Sequence, residues 1–422
     1  MLLFTRTKGI PKVEPNGIQI TSQRHDQRRF LRNDVDSYQE AAEILNFINL
    51  KKSKGNYIVD ADGNTLLDLC GTELNPLGYN HEAFVKAMHS KDFDSALINS
   101  NLTSNEVASA DFNALVQKVM KPVSPSEKLG AVTFTRGGQG VEKAILTAMA
   151  ERGQGNWTAL GFQGATHGNH TSFALAQFRG TPKLPSLGWP VHPYPVAANE
   201  ASILDDVHTS LKLQRNSGKP VAAVVIEPMQ STTGSVASER FLKELRSVTK
   251  DNEAALIVDA TETGAGATGK SFWGFPAVAD PDYLVFGERT QVEGFFSSAE
   301  SKSSTVSIGG DHLRLLQFAT IQENMVKERL LEKVDLTGAS LRKQIEQTIS
   351  KKSGTGLTGV KGLGTSLFIE TQDGETAFKL QGHLLKEGVV VKANGSRGVS
   401  LKPALIMEQK HVDQFTAALS KF

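Results

Sequence analysis

Apolar residues in the middle of this chain come in short unbroken runs, separated by amphipathic stretches of helical length. Ala131–Phe134, Trp157–Leu160, Ala222–Ile226, Ala255–Asp259 and Tyr283–Phe286 each predict a strand. The run Ala255–Val258 has no polar alternation, as expected of a strand covered on both faces. Val141–Arg152 and Ser238–Lys250 predict helices between them. Strand–helix alternation of this kind predicts an α/β fold with a mainly parallel sheet flanked by helices.

The flanks follow a different pattern. Upstream, Tyr57–Val59 and Leu66–Leu69 bracket Asp62-Gly63, a strong hairpin signal, and Ser37–Asn46 predicts a short helix in a polar lead-in. Downstream of a Ser/Gly-rich loop, Ser297–Gly310, the stretch Asp311–Ile349 predicts a helical bridge to a small α+β domain. There Ser366–Glu370 and Val389–Val391 predict strands, Glu375–Lys386 a helix ended by Gly388, and His411–Leu419 a closing helix with His411 at its surface. The expected organisation is an N-terminal arm and helix (1–55), a large domain (56–310), and a bridging helix with a C-terminal small domain (311–422).

Composition fits a folded body of more than one domain: 422 residues, 39% hydrophobic and 22% charged. Lys+Arg 46 against Asp+Glu 45 leaves a formal charge of +1, so nothing favours nucleic acid or anionic lipid as a partner. Cys70 is the single cysteine, which excludes an internal disulfide framework and a cysteine-based metal site; at the end of an apolar strand it is expected to be a buried small hydrophobe. His81, His167 and His170 lack carboxylates at metal-ligand spacing, so no metal is expected. No apolar run approaches the ~20 residues of a membrane-spanning helix. The N-terminus carries Arg6 and Lys8 and no acid before Glu14, which fits the end of a mitochondrial targeting segment and equally a basic arm.

Several motifs point to one chemistry. In order they are Asp62-Gly63-Asn64, Gly78-Tyr79-Asn80-His81, Arg136-Gly137-Gly138-Gln139-Gly140, Thr166-His167-Gly168-Asn169, Glu227-Pro228-Met229-Gln230-Ser231-Thr232, Asp259-Ala260-Thr261-Glu262, Phe286-Gly287-Glu288-Arg289 and Gly294-Phe295-Phe296. Their types and order resemble class III aminotransferases, and within that family the eukaryotic 4-aminobutyrate aminotransferases. The resemblance implies a fold-type I pyridoxal phosphate transferase, a homodimer with active sites built between subunits, and, since eukaryotic members are mitochondrial, that compartment.

Pyridoxal phosphate transamination needs a lysine amine for the imine, an acid at the ring nitrogen, phosphate donors, and a cation for the substrate carboxylate. Asp259, at the carboxyl end of its strand, suits the second role, though a carboxylate there is equally a turn cap. The resemblance puts the other roles on residues that have changed. The lysine position, after an aromatic and a small residue, is Glu288, which cannot form an imine; Arg289 beside it stays protonated. No lysine occurs between Lys270 and Lys302. The phosphate-gripping Gly-Ser pair is Gly137-Gly138, the ring-stacking aromatic is Thr166, and the arginine for a γ-amino acid carboxylate is Asn169. The acid that follows Gln-Ser in the Glu-Pro motif is Thr232, the glutamine at the ring hydroxyl is Glu262, and the α-carboxylate arginine is Lys402. Ser307 aligns with a threonine that reaches the partner subunit's phosphate, and the cysteines that bridge a cluster in animal members are Arg136 and Gln139.

Glu262 and Glu288 add negative charge where a phosphorylated cofactor would sit, and such a site is expected to repel phosphate and substrate. The expectation is therefore a catalytically inactive member that binds no cofactor and serves as a structural or scaffold subunit, in all expectation of a mitochondrial assembly. Gly137, Gly138, Asp259, Glu262 and Ser307 would be vestiges of cofactor binding. Two alternatives stand beside it: an active 4-aminobutyrate-type aminotransferase, and a sensor that binds a small molecule noncovalently, for example a cation drawn by Glu262 and Glu288.

Overall fold

The computed structural model describes residues 48–70, 75–99, 110–167, 178, 187–276, 279–300, 311–352, 354–394 and 398–422. The helix expected over Ser37–Asn46, the basic N-terminus, Asn169 and Ser307 lie outside the described residues.

Strands β1 (Tyr57–Val59) and β2 (Thr65–Asp68) form the expected antiparallel hairpin around Gly63, whose φ of +87° is one that glycine adopts without strain. The main sheet follows: β3 (Ala131–Thr135), β4 (Thr158–Phe162), β5 (Val191–His192), β6 (Val221–Ile226), β7 (Ala255–Asp259), β8 (Tyr283–Phe286) and β9 (Glu293–Ser297). Its spatial order is β3-β9-β8-β7-β6-β4-β5. Pairing from β5 to β8 is parallel, and β9 runs antiparallel to both β8 and β3. Strand β9 is absent from the sequence reading because Gly294-Phe295-Phe296 is a short motif running into a Ser-rich loop.

The continuous apolar runs are explained by a core on each side of this sheet. Along β7, Leu256 and Val258 pack with Phe286, Trp273 and Phe296, while Ile257 packs on the opposite face with Val225, Val285 and Phe295. The second face is covered by helix Gly140–Glu151, which buries Val141, Ala144, Ile145 and Ala148 against β6 to β9. Among the described residues the helices are, in chain order, α1 (Glu82–Ala87), α2 (Lys91–Asn99), α3 (Ala110–Met120), α4 (Gly140–Glu151), α5 (Glu200–Asn216), α6 (Glu239–Asp251), α7 (His312–Lys327), α8 (Leu330–Lys351), α9 (Gly374–Lys386) and α10 (Gln409–Leu419). Ser238 caps α6, its hydroxyl accepting from the Phe241 amide. The predicted bridge is two helices, because Arg329 turns left-handed (φ +53°) between α7 and α8.

The C-terminal strands are β10 (Leu357–Leu363), β11 (Ser366–Thr371), β12 (Val389–Val390), β13 (Lys392–Asn394) and β14 (Gly398–Leu401). Four of them form an antiparallel sheet, β10-β11-β14-β13. The remaining one, β12, pairs parallel with β2, and Leu67 and Leu69 share a core with Leu341, Ile369, Leu384 and Phe415.

Two expectations are corrected. His411 is buried, not superficial: its Nδ1 accepts from the Glu408 amide in a capping box and its ring lies 5.3 Å from that of Tyr57. A histidine at the third position of a helix can satisfy the start of its own helix, so it need not face water. Cys70 is only partly covered, packed beside Tyr79.

Candidate functional site

The carboxyl ends of the parallel strands gather most of the residues singled out above, as expected where loops leave an open α/β sheet. Asp259 ends β7 and is buried. Its Oδ2 lies 2.9 Å from His167 Nδ1, and its Oδ1 accepts from the Thr261 amide (3.0 Å) and hydroxyl (2.5 Å). Burial alone would raise its pKa; the His167 bond and the Thr261 donors outweigh that and hold the carboxyl below its ordinary value. His167 reaches this position with a left-handed backbone, φ +41°, and Phe178 meets its ring edge-on at 5.8 Å. Its Nε2 is buried with no hydrogen-bond partner among the described residues.

Glu227 follows β6 and is equally buried. Burial pushes its pKa up to about 7; His167 pulls the other way, and the nearby Asp259 and Glu262 push it further up. Its Oε1 accepts from the Thr166 hydroxyl at 3.3 Å, and Thr166 also meets Ser231 at 2.7 Å, while Oε2 has no partner among the described residues. Sequence reasoning had no role for Glu227 or His167 beyond their motifs; two buried titratable groups next to a strand-end aspartate were the available signal.

Glu262 and Lys402, treated separately in the sequence, are one unit. Lys402 Nζ lies 2.7 Å from Glu262 Oε2, with side chains only 15% and 22% exposed. Glu262 is therefore not the free repulsive charge that was expected, because a cation from the residue after β14 neutralises it. Thr232 is turned into loop packing: its hydroxyl donates to the Gly164 carbonyl and its own carbonyl accepts from Asn394.

The turn before α4 contains Gly137 and Gly138 with φ of +65° and +72°. The Gly138 amide donates to Glu293 Oε2 at 2.7 Å. Glu293, opposite Thr135 on β9, was not singled out in the sequence. Glu288 opens a short 3-10 turn (Glu288–Thr290) two residues beyond β8, the strand that pairs in parallel with β7. Gly287 before it is confined: a Cβ there would lie 3.3 Å from Thr261 Cγ2 and 3.5 Å from Glu293 Cγ. Among the described residues no cluster of His, Cys, Asp and Glu is placed to hold a metal ion, and no helix is long and apolar enough to cross a membrane.

A seven-stranded, mainly parallel sheet with these strand-end residues is the large-domain arrangement of fold-type I pyridoxal phosphate transferases. Solved structures share that fold: lysine aminotransferase from M. tuberculosis in the internal aldimine form superposes with a TM-score of 0.77 at 22% identity, over 94% of this chain and 97% of that one. A transaminase from the marine bacterium Virgibacillus gives 0.77 at 19%, over 95% and 98%.

Residues 38–422 match the family model for class-III aminotransferases, and the chain belongs to that family. Its curated relatives include the mitochondrial 4-aminobutyrate aminotransferases of Sus scrofa, 28% identical over 92% of this chain and 87% of that protein, and of Homo sapiens, 27% identical over 91% and 86%. A probable mitochondrial 4-aminobutyrate aminotransferase of Caenorhabditis elegans is 26% identical over 97% of this chain and 95% of its own length.

Proposed function

We propose that this class-III aminotransferase has lost transamination and acts as a structural subunit, homodimeric and part of a mitochondrial assembly. The observation that supports the proposal is Glu288 itself, a residue two positions past β8, the strand beside the one that ends in Asp259, standing in the sequence where the family resemblance calls for a lysine amine. The stretch from 271 to 301 offers no lysine in any register.

The other residues do not fit pyridoxal phosphate. Lys402 carries an amine, but its Nζ is engaged by the Glu262 carboxylate at 2.7 Å. The Gly138 amide, a natural phosphate donor at a helix start, is bonded to a carboxylate. Asp259 alone keeps a suitable place, since its chain partners use three of roughly four acceptor positions on a carboxylate. A fold can outlast its chemistry because function resides in the site. The mitochondrial setting is supported by the compartment named for the animal relatives, and the dimer by the between-subunit sites of the family, whose interfaces are of the large obligate kind.

The test is reconstitution. Purified protein incubated with pyridoxal phosphate and 4-aminobutyrate is expected to show no internal-aldimine absorbance, no phosphopyridoxyl-lysine after borohydride reduction, and no amino transfer. A reduced pyridoxyl adduct on any lysine ends the proposal.

A further inference from the structure

We infer that the strand-end site is closed to anions from within: two of the chain's own carboxylates, Glu293 and Glu262, hold the Gly138 amide and the Lys402 ammonium, two positive groups that an anionic ligand would need. This rests on the non-transaminating reading above and adds to it what keeps the site closed to anions.

The first closure is at the start of α4. A helix N-terminus carries partial positive charge and unpaired amides, and it attracts an anion from whatever source is nearest. The N-cap, Gln139, makes no side-chain bond to those amides. Glu293 brings an anion to this helix start from β9, 155 residues away in sequence, bonding the Gly138 amide just ahead of the N-cap at 2.7 Å. Its stem is held in place on the way, because Glu293 Cγ and Thr261 Cγ2 both flank the bare Cα of Gly287. Thr261 in turn donates to Asp259, so the bonded carboxylate and the strand-end aspartate share one packed cluster.

The second closure joins segments 140 residues apart, Glu262 after β7 and Lys402 after β14. Both side chains are mostly covered, which strengthens the attraction and slows exchange with solvent ions. An incoming phosphate or carboxylate would have to displace a bonded carboxylate at either place and then remain beside it. Lost hydrogen bonds and like-charge repulsion both oppose that exchange. Two glutamates thus hold the α4 turn to β9 and the β7 loop to the residue after β14 with no bound anion required.

The closure can be opened one glutamate at a time. Full-length protein is titrated with inorganic phosphate, against potassium chloride at matched ionic strength, and followed by thermal unfolding. Wild type is expected to show no saturable response, whereas Glu293→Ala gains a saturable rise of about 3 °C and Glu293→Gln a smaller one. Glu262→Gln, which removes the charge paired with the Lys402 ammonium, is expected to gain the same kind of response to glutarate. Wild type responding to phosphate as strongly as Glu293→Ala overturns the inference, as does a Glu293→Ala protein that folds and gains nothing. Should that variant fail to fold, hydrogen exchange on wild type decides: slow exchange of the Gly138 amide supports the closure, and exchange as fast as that of an open turn overturns it. Phosphate uptake by wild type without any pyridoxyl adduct would sink only this inference, while an adduct would sink the functional proposal.

Discussion

His167 and Asp259 are joined through Nδ1 and Oδ2 at 2.9 Å with both side chains out of contact with water. Truncating one partner of such a buried pair leaves the other without compensation. Asp259→Ala is expected to lower stability by about 3 kcal/mol, seen as a shift of the urea midpoint with an unchanged slope. Asp259→Asn, which keeps the shape and the Thr261 bonds, should cost clearly less. A wild-type midpoint for Asp259→Ala would mean that the pair contributes nothing to the fold.

Glu227 makes stability depend on pH. Its folded-state pKa of about 7 lies above the ordinary value of 4.5, so between those two values the folded chain holds the proton more tightly than the unfolded chain. Stability therefore falls as pH rises from 4.5 through about 7, by an amount on the order of 3 kcal/mol. Asp259 acts in the opposite sense: its depressed pKa contributes stability above the ordinary value of 3.8 that is lost as pH falls through the folded value. Denaturation curves collected from pH 4.5 to 8 should show the decline, and Glu227→Gln should flatten it. An equal decline in that variant would assign the effect elsewhere.

Lys402 and Glu262 should be coupled in a double-mutant cycle. For a pair this well covered, Lys402→Met and Glu262→Gln are expected to show an interaction energy of about 1 kcal/mol, largely insensitive to salt. Additive single effects would show that the 2.7 Å contact has no energetic weight.

The glycines around the α4 turn are retained for different reasons. A Cβ on Gly140 would stand 2.7 Å from Val285 Cγ1 and 3.3 Å from the Gly294 carbonyl, so Gly140→Ala forces α4 off the sheet and is expected to cost about 1–3 kcal/mol. At Gly137 no atom lies within 4 Å of such a Cβ, and the burden of Gly137→Ala is only its φ of +65°, about 1 kcal/mol. Urea denaturation ranks the two, and the reverse order would show that turn conformation outweighs helix–sheet packing.

The main sheet was legible because buried parallel strands advertise themselves. The run Ala255–Asp259 and the aromatic Tyr283–Phe286 came out with their observed boundaries. Strand β14 did not, because Gly398–Leu401 is too short and mixed to stand out from its loop. The strand-end carboxylate Asp259 could be placed from its run alone, but the partners that decide the chemistry could not. Lys402 pairs with Glu262, and Gly138 with Glu293, across separations that no local pattern encodes. His411 was misjudged for a related reason: its burial depends on Tyr57, more than 350 positions upstream.

The parallel pairing of β2 with β12 sets an order of events during synthesis. Leu67 and Asp68 emerge first, and the residues that complete their sheet, Val389 and Val390, are made more than 300 residues later. Until then the hairpin has only its own two short strands and an uncovered apolar edge, which is marginal in water and an aggregation hazard for so distant a contact. Nascent chains halted before residue 389 should accordingly hold this segment open to proteases and chaperones, while the α4-covered sheet, whose strands are complete by residue 297, is already closed.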